Sequence, residues 1–265
     1  MSHYTVGIFT HQQPTDDMID EILEPYWEGD GSQTDADPYF EAYDQTEEYM
    51  NKYLTESAVK HKTPDGKLYY PWEFEEQDGA SYNDEKVSVP FVDLYATFED
   101  FMREYIGYKL NEDGRCIYYS NPNAKWDWYQ IGGRWDGVLL AKLEEDETVQ
   151  LWVNSYPIKE IDFEEMRKQR LKDLPPYHKT VYDSFWKPEY MLEQYPTEEE
   201  YIRRSTQFTT YAVVTPDGEW LEPGAMGWFG ISEATTDAER EWDNEYPEFL
   251  EKYKDCWLTI VDCHI

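Results

Sequence analysis

Two stretches of the chain gather residue types that bind or react. The last eight residues, LTIVDCHI, set Asp262 and His264 two apart. The stretch KWDWYQIGGRWDG, from Lys125, packs three tryptophans, two aspartates and an arginine around Gly132 and Gly133. Read as a strand, the first turns Leu258, Ile260, Asp262 and His264 to one side and Thr259, Val261, Cys263 and Ile265 to the other. A strand apolar on both faces is buried, and a buried Asp262 needs a partner, for which Arg134 is the candidate. Asp262 and His264 are the residues for an acid–base pair. Neighbours two apart on a strand rarely bond each other, however, and Cys263 faces away from both.

Gly-Gly between two alternating runs predicts a two-residue hairpin, because a type I′ turn needs positive φ at both central positions. That register places Trp126, Trp128, Gln130, Trp135 and Leu139 on one face, which reads as core. The other face carries Asp127, Tyr129, Ile131, Arg134, Asp136 and Val138. It reads either as an ion network on a sheet surface or as a ligand site, with Arg134 as a donor fork and Tyr129 as a stacking plane. A third stretch, GAMGWFG (Gly224 to Gly230), offers Trp228 on a glycine loop that packs on the body or on a ligand. The candidate ligand set is therefore Asp127, Tyr129, Arg134, Asp136, Trp228, Asp262 and His264.

Other chemistry finds no support. There is no Walker loop, dinucleotide-binding glycine pattern, GxSxG or HExxH, and Cys116, Cys256, Cys263 and His264 lack a zinc spacing. No catalytic residue, metal or cofactor is assigned. Three cysteines without a CxxC cannot all pair, and no leader pattern or membrane-length apolar run is present. The expectation is a cytoplasmic protein with reduced thiols.

The 57 acidic and 23 basic residues give a net charge of −34. Such a surface repels nucleic acid and anionic lipid and favours basic or nucleic-acid-binding partners. The charge equals that of roughly 58 Å of DNA duplex, at one charge per ~1.7 Å. Solubility alone is the plain alternative. Between Gln13 and Glu56 lie 14 acids and one lysine. Asp35, Asp37, Glu41, Asp44, Glu47 and Glu48 are the candidate partner-binding residues.

These residues must be positioned by an α+β fold: a central, mostly antiparallel sheet including both chain termini, with amphipathic helices and helical insertions around it. HYTVGIF reads as a strand and TDDMIDEIL as a helix capped by Thr15. A second helix is expected at DPYFEAY, with Asp37 as cap and Pro38 in its first turn. TPDG at Thr63 and again at Thr215 predicts two hairpins. TFEDFMREYIG reads as a helix closed by Gly107, and CIYYS as a strand. GVLLAKLEEDETVQLWV reads as a hairpin turning in Glu144 to Glu147. Helices capped by Asp162 and Thr197 flank a basic stretch from Met166 to Lys187. FTTYAVVTPDGEWL reads as strand, turn and strand. A helix from Thr236, kinked or split by Pro247, precedes the last strand. The whole reads as one domain, 1–265, with an acidic helical insertion at about 13–56 and a basic, proline-containing one at about 160–205.

WDWYQIGGRW, MGWFG and VDCHI, in this order and spacing, resemble motifs of a bacteriophage and prophage protein family without an assigned activity. The likeness covers roughly residues 115–140 and 208–265. It implies a phage accessory protein in the host cytoplasm. Three functions follow as expectations. The first is inhibition of a host antiviral defence or nucleic-acid-binding protein through an acidic, DNA-mimicking surface. The second is sequestration of a nucleotide-like signal in a Trp/Tyr/Arg pocket, and the third is hydrolysis of such a ligand.

Overall fold

A computed structural model describes residues 2–75, 80–81, 84–143, 149–226 and 231–265. The chain divides into two compact units, Met1–Asp30 with Asn123–Ile265, and Gly31–Pro122, where the sequence reads as one domain. The acidic stretch from Gln13 to Glu56 is shared between them. The larger unit begins with β1 (His3–Thr10) and α1 (Asp16–Leu23). The smaller holds β2 (Glu41–Asp44), α2 (Thr46–Thr55), β3 (Ser57–Lys62), β4 (Leu68–Tyr69), β5 (Glu85–Pro90), α3 (Phe91–Leu94), α4 (Phe98–Phe101) and β6 (Ile117–Ser120). The larger then resumes with β7 (Trp128–Ile131), β8 (Leu139–Leu140), β9 (Trp152–Val153) and β10 (Ser155–Pro157). Helices α5 (Phe163–Asp173), α6 (Tyr177–Tyr182), α7 (Pro188–Gln194) and α8 (Glu198–Thr206) follow. Strands β11 (Ala212–Val214) and β12 (Trp220–Leu221), helix α9 (Thr236–Lys252) and strand β13 (Trp257–His264) complete it.

The fold is α+β, with both terminal strands in the central sheet. Its order is β10-β13-β1-β11-β12, and β7 also pairs with β13. Among the described strands of this sheet, only β1 and β11 pair in parallel. Strands β1 and β13 pair over their full length, His3 opposite His264 and Thr10 opposite Trp257. Backbone bonds between Ser2 and Ile265 extend the zip to the last residue. Alternation then decides what each face does. Val6, Ile8, Val261 and Cys263 pack with Ile19 and Leu23 of α1 and with Trp126. Phe9, Leu258 and Ile260 pack with Trp242 and Tyr246 of α9.

Local chemistry follows the sequence closely at the caps and turns. Thr15, Thr97, Asp162, Thr197 and Thr235 each accept the backbone N–H three residues on. Both TPDG segments close hairpins, with Gly66 and Gly218 at positive φ. Strands β8 and β9 form the expected hairpin, whose turn lies outside the described residues. Helix α9 continues through Pro247 without the expected split. Pro247 has no N–H for the Asp243 carbonyl, and the Gln207 side-chain amide donates to that oxygen instead.

The expected helix at DPYFEAY does not form. Residues Glu41–Asp44 are a strand paired with β6, and helix α2 starts only at Thr46. Asp37 closes a turn, accepting from the Thr34 amide and hydroxyl. Tyr43 and Tyr118 face each other across the ladder, a cross-strand aromatic pairing that helix periodicity does not reveal.

A candidate two-histidine site

The hairpin expected at Gly132-Gly133 is replaced by a different device. Strand β7 pairs with the chain's last strand, Trp128 opposite His264 and Gln130 opposite Asp262. Gly133–Trp135 then forms one 3-10 turn. Trp126, Trp135 and Leu139 lie in the core as expected, but the assignment reverses along β7 itself. Tyr129 and Ile131 pack with Trp126 in the core, while Trp128 is 42% exposed. Tyr129 is scaffold: its hydroxyl donates to Asp20 of α1, and burial, reinforced by that carboxylate, raises its pKa.

Both glycines are required where they sit. They have φ of 73° and 52°, and a Cβ on Gly132 would overlap the Asn154 side chain. A Cβ on Gly133 would overlap Asp262. This close approach aims the Arg134 backbone N–H at Asp262 Oδ2, 2.9 Å away. The Asp262 carboxylate is 2% exposed, and its other oxygen accepts from His3 Nδ1 at 2.9 Å. The expected Asp262 partner was thus the right residue through the wrong group. The Arg134 side chain is exposed and makes no hydrogen bond or ion pair with a described residue. The carboxylate is satisfied by an amide and an imidazole.

Asp127 is held in a matching way. Its carboxylate accepts from the Trp128 amide at 2.7 Å and from His264 Nδ1 at 2.6 Å, and its own amide donates to the His264 carbonyl. The flanking chain is fixed by Trp126, whose indole donates to the Leu23 carbonyl, and by Trp27, whose indole donates to the Asp127 carbonyl. His3 and His264 are direct cross-strand neighbours with ring centroids 4.9 Å apart, and Trp128 stacks on His264 at 5.1 Å. Asp136 stands aside, its carboxylate accepting from Asn154.

The consequence is chemical. A carboxylate can only accept, so each neutral imidazole carries its proton on Nδ1 and turns a basic Nε2 outward. Neither Nε2 bonds a described residue, and neither is sealed from solvent. The rings are otherwise enclosed, His3 being 11% and His264 3% exposed. Cys263 has no part in this: burial, with Asp262 and Asp127 adding to it, raises the thiol well above its ordinary value. Among the described residues, no group of three or more His, Cys, Asp or Glu is placed to hold a metal ion.

The structure therefore brings together Asp127, Asp262 and His264 of the candidate set, with Arg134 beside them through its amide. It separates Tyr129 and Asp136, and Trp228 lies outside the described residues. His3 was missed because nothing local marks it. Its signal is its place at the start of the strand that opposes VDCHI, and two histidines on such a pair are visible only once the termini are paired.

No family model, curated protein or solved structure matches this chain.

The proposed acidic surface is dispersed. Gly31–Pro122 holds 20 acidic and 8 basic residues and the larger unit 37 and 15, the same density in each. Asp44 is tied to the Thr46 hydroxyl and to Arg115, which together lower its pKa to about 2. Asp35 and Glu41 accept from Tyr119 and Tyr43, while Glu47 and Glu48 are exposed without an ion pair to a described residue. No described helix is long and apolar enough to cross a membrane.

Proposed function

We propose that the protein binds a nucleotide-like small molecule at the His3–His264 pair and cleaves a phosphoester bond in it. The observation that carries this reading is the opposed pair of imidazoles, each backed by a carboxylate on Nδ1. One ring, neutral, takes at Nε2 the proton of a water whose oxygen attacks phosphorus. The other enters the step as imidazolium, protonated on both nitrogens. As the ester P–O bond breaks it gives its Nε2 proton to the leaving oxygen, and proton exchange with water restores the starting pair. Trp128 supplies a half-open ring for a base, and the unpaired Arg134 guanidinium supplies charge for the phosphate. The two carboxylates hold the tautomers and offset charge on the rings.

This ranks hydrolysis above pure sequestration, because a sponge has no need of two acid–base groups. In a phage protein acting in the bacterial cytoplasm, the ligand would be a nucleotide signal of host immunity. A second reading, inhibition of a basic host defence protein, rests on the exposed Glu47 and Glu48, and the even spread of charge weakens it as DNA mimicry.

The test is turnover of linear and cyclic nucleotides, followed by chromatography, with wild type, His3→Ala and His264→Ala. General acid–base groups contribute ~10²–10⁴-fold, so either variant should lose at least that order of rate while staying folded. Wild-type inertness toward every phosphoester, or variants as active as wild type, would contradict the proposal.

A further inference from the structure

A second concavity, separate from the histidine pair, has the opposite electrostatic character. It is a groove of about 540 Å³ whose lining includes five basic side chains and one acid, Glu251. In a chain with 57 acids to 23 bases, that local inversion of sign sets the groove apart from the rest of the surface. The size lies within the ~300–1,000 Å³ of small-molecule sites.

The floor and the rim divide the work. Ile158, Ile161 and Phe208 in the floor are buried core residues. Phe208 is braced by Phe163, at 5.4 Å between centroids, and by the Arg170 guanidinium over its ring. The rim cations differ in their commitments. Arg203 is held by both oxygens of Glu200, Lys254 is paired with Glu251, and Lys142 donates to the Lys159 carbonyl. Lys159 has no side-chain partner among the described residues. Arg167 makes one long bond, 3.4 Å from Nε to the Thr206 hydroxyl, which leaves its outer nitrogens available. An apolar floor beneath two uncommitted cations fits a ligand with an apolar body and an anionic head. The net charge of −34 limits that head, since a field of this sign penalises each added negative charge.

We propose that this groove binds a small amphipathic anion, an apolar ring or chain carrying a single carboxylate, sulfonate or phosphate group, with Lys159 and Arg167 taking the head. The proposal stands apart from the histidine chemistry, and His3→Ala should leave it intact.

The probe is 8-anilinonaphthalene-1-sulfonate, titrated by fluorescence into the native protein. Saturable binding is expected, weakened at least tenfold in the double variant Lys159→Glu with Arg167→Glu and unchanged in His3→Ala. Circular dichroism melts report whether the double variant is folded. If it is not, Lys159→Ala with Arg167→Ala serves, with a smaller loss expected. Decanoate and 2-naphthyl phosphate, as competitors, distinguish a chain from a ring, and displacement by either supports the proposal. No saturable binding, equal binding by the folded variant, displacement by neither competitor, or preferential displacement by ATP would overturn it.

Discussion

Removing the Asp262 carboxylate should cost far more than removing the Arg134 side chain, and the difference isolates what the Gly132-Gly133 turn does. Asp262 is 2% exposed and accepts two hydrogen bonds, from His3 Nδ1 and from the Arg134 backbone, both at 2.9 Å. Asp262→Ala leaves both donors without their acceptor. Hydrogen bonds to charged groups contribute about 1.5–3 kcal/mol each, so the expected loss is about 3–6 kcal/mol. Arg134→Ala keeps the amide and removes only an exposed side chain, so its cost should stay within about 0.5 kcal/mol. A double-mutant cycle sharpens the contrast. Asp262 with His3 should couple by about 0.5–3 kcal/mol, while Asp262 with Arg134 should add almost independently. Urea unfolding of the single and double variants measures all of these. An Arg134→Ala loss as large as that of Asp262→Ala would refute the backbone assignment and restore the guanidinium as the partner.

Gly133→Ala meets both a positive φ and the Asp262 side chain, and should cost more than the ~1–2 kcal/mol of left-handed backbone alone. Gly218→Ala, at φ 84° in open space, is its control, and equal thermal shifts would deny the close approach. Cys116, Cys256 and Cys263 are buried with thiols raised by burial, so a disulfide reagent at neutral pH should label none quickly until denaturant is added. Fast labelling of the native protein would contradict that burial. Asp44 has its pKa depressed to about 2 by the Thr46 hydroxyl first and Arg115 second. Its stabilising effect is present above the unfolded value of about 3.9 and is lost as pH falls through 2. Carboxyl NMR should show both Thr46→Val and Arg115→Ala raising that pKa, and a variant of either residue that leaves it unmoved would refute the assignment.

What the sequence made legible is what local chemistry determines. Thr15 and Asp162 cap because their side chains reach N–H groups within one turn, and TPDG turns because Gly66 and Gly218 take positive φ. The α+β class and the joining of the termini in one sheet followed from the strand patterns at each end. The failures share a cause. Gly-Gly signals positive φ equally for a hairpin and for a 3-10 turn, and only the distant β13 decides which forms. Once β7 pairs with β13, Tyr129 stands opposite the buried Cys263 and Trp128 opposite His264, so the pairing decides which of the two alternating faces is covered. DPYFEAY failed similarly, because β6, more than seventy residues on, recruits Glu41–Asp44 into a ladder. Three of the seven candidate ligand residues converge through side chains, and His3 joins them from the other end of the chain.

The most direct test of the two-histidine account is the tautomeric state of those rings, read by long-range proton–nitrogen NMR on histidine-labelled protein. Five histidines make the spectrum assignable with His3→Ala and His264→Ala. The account predicts that the neutral forms of His3 and His264 both carry the proton on Nδ1, with bare Nε2 nitrogens that shift when a nucleotide substrate is added. A proton on Nε2 in either neutral ring, or substrate turnover that leaves both nitrogens unmoved, would contradict it.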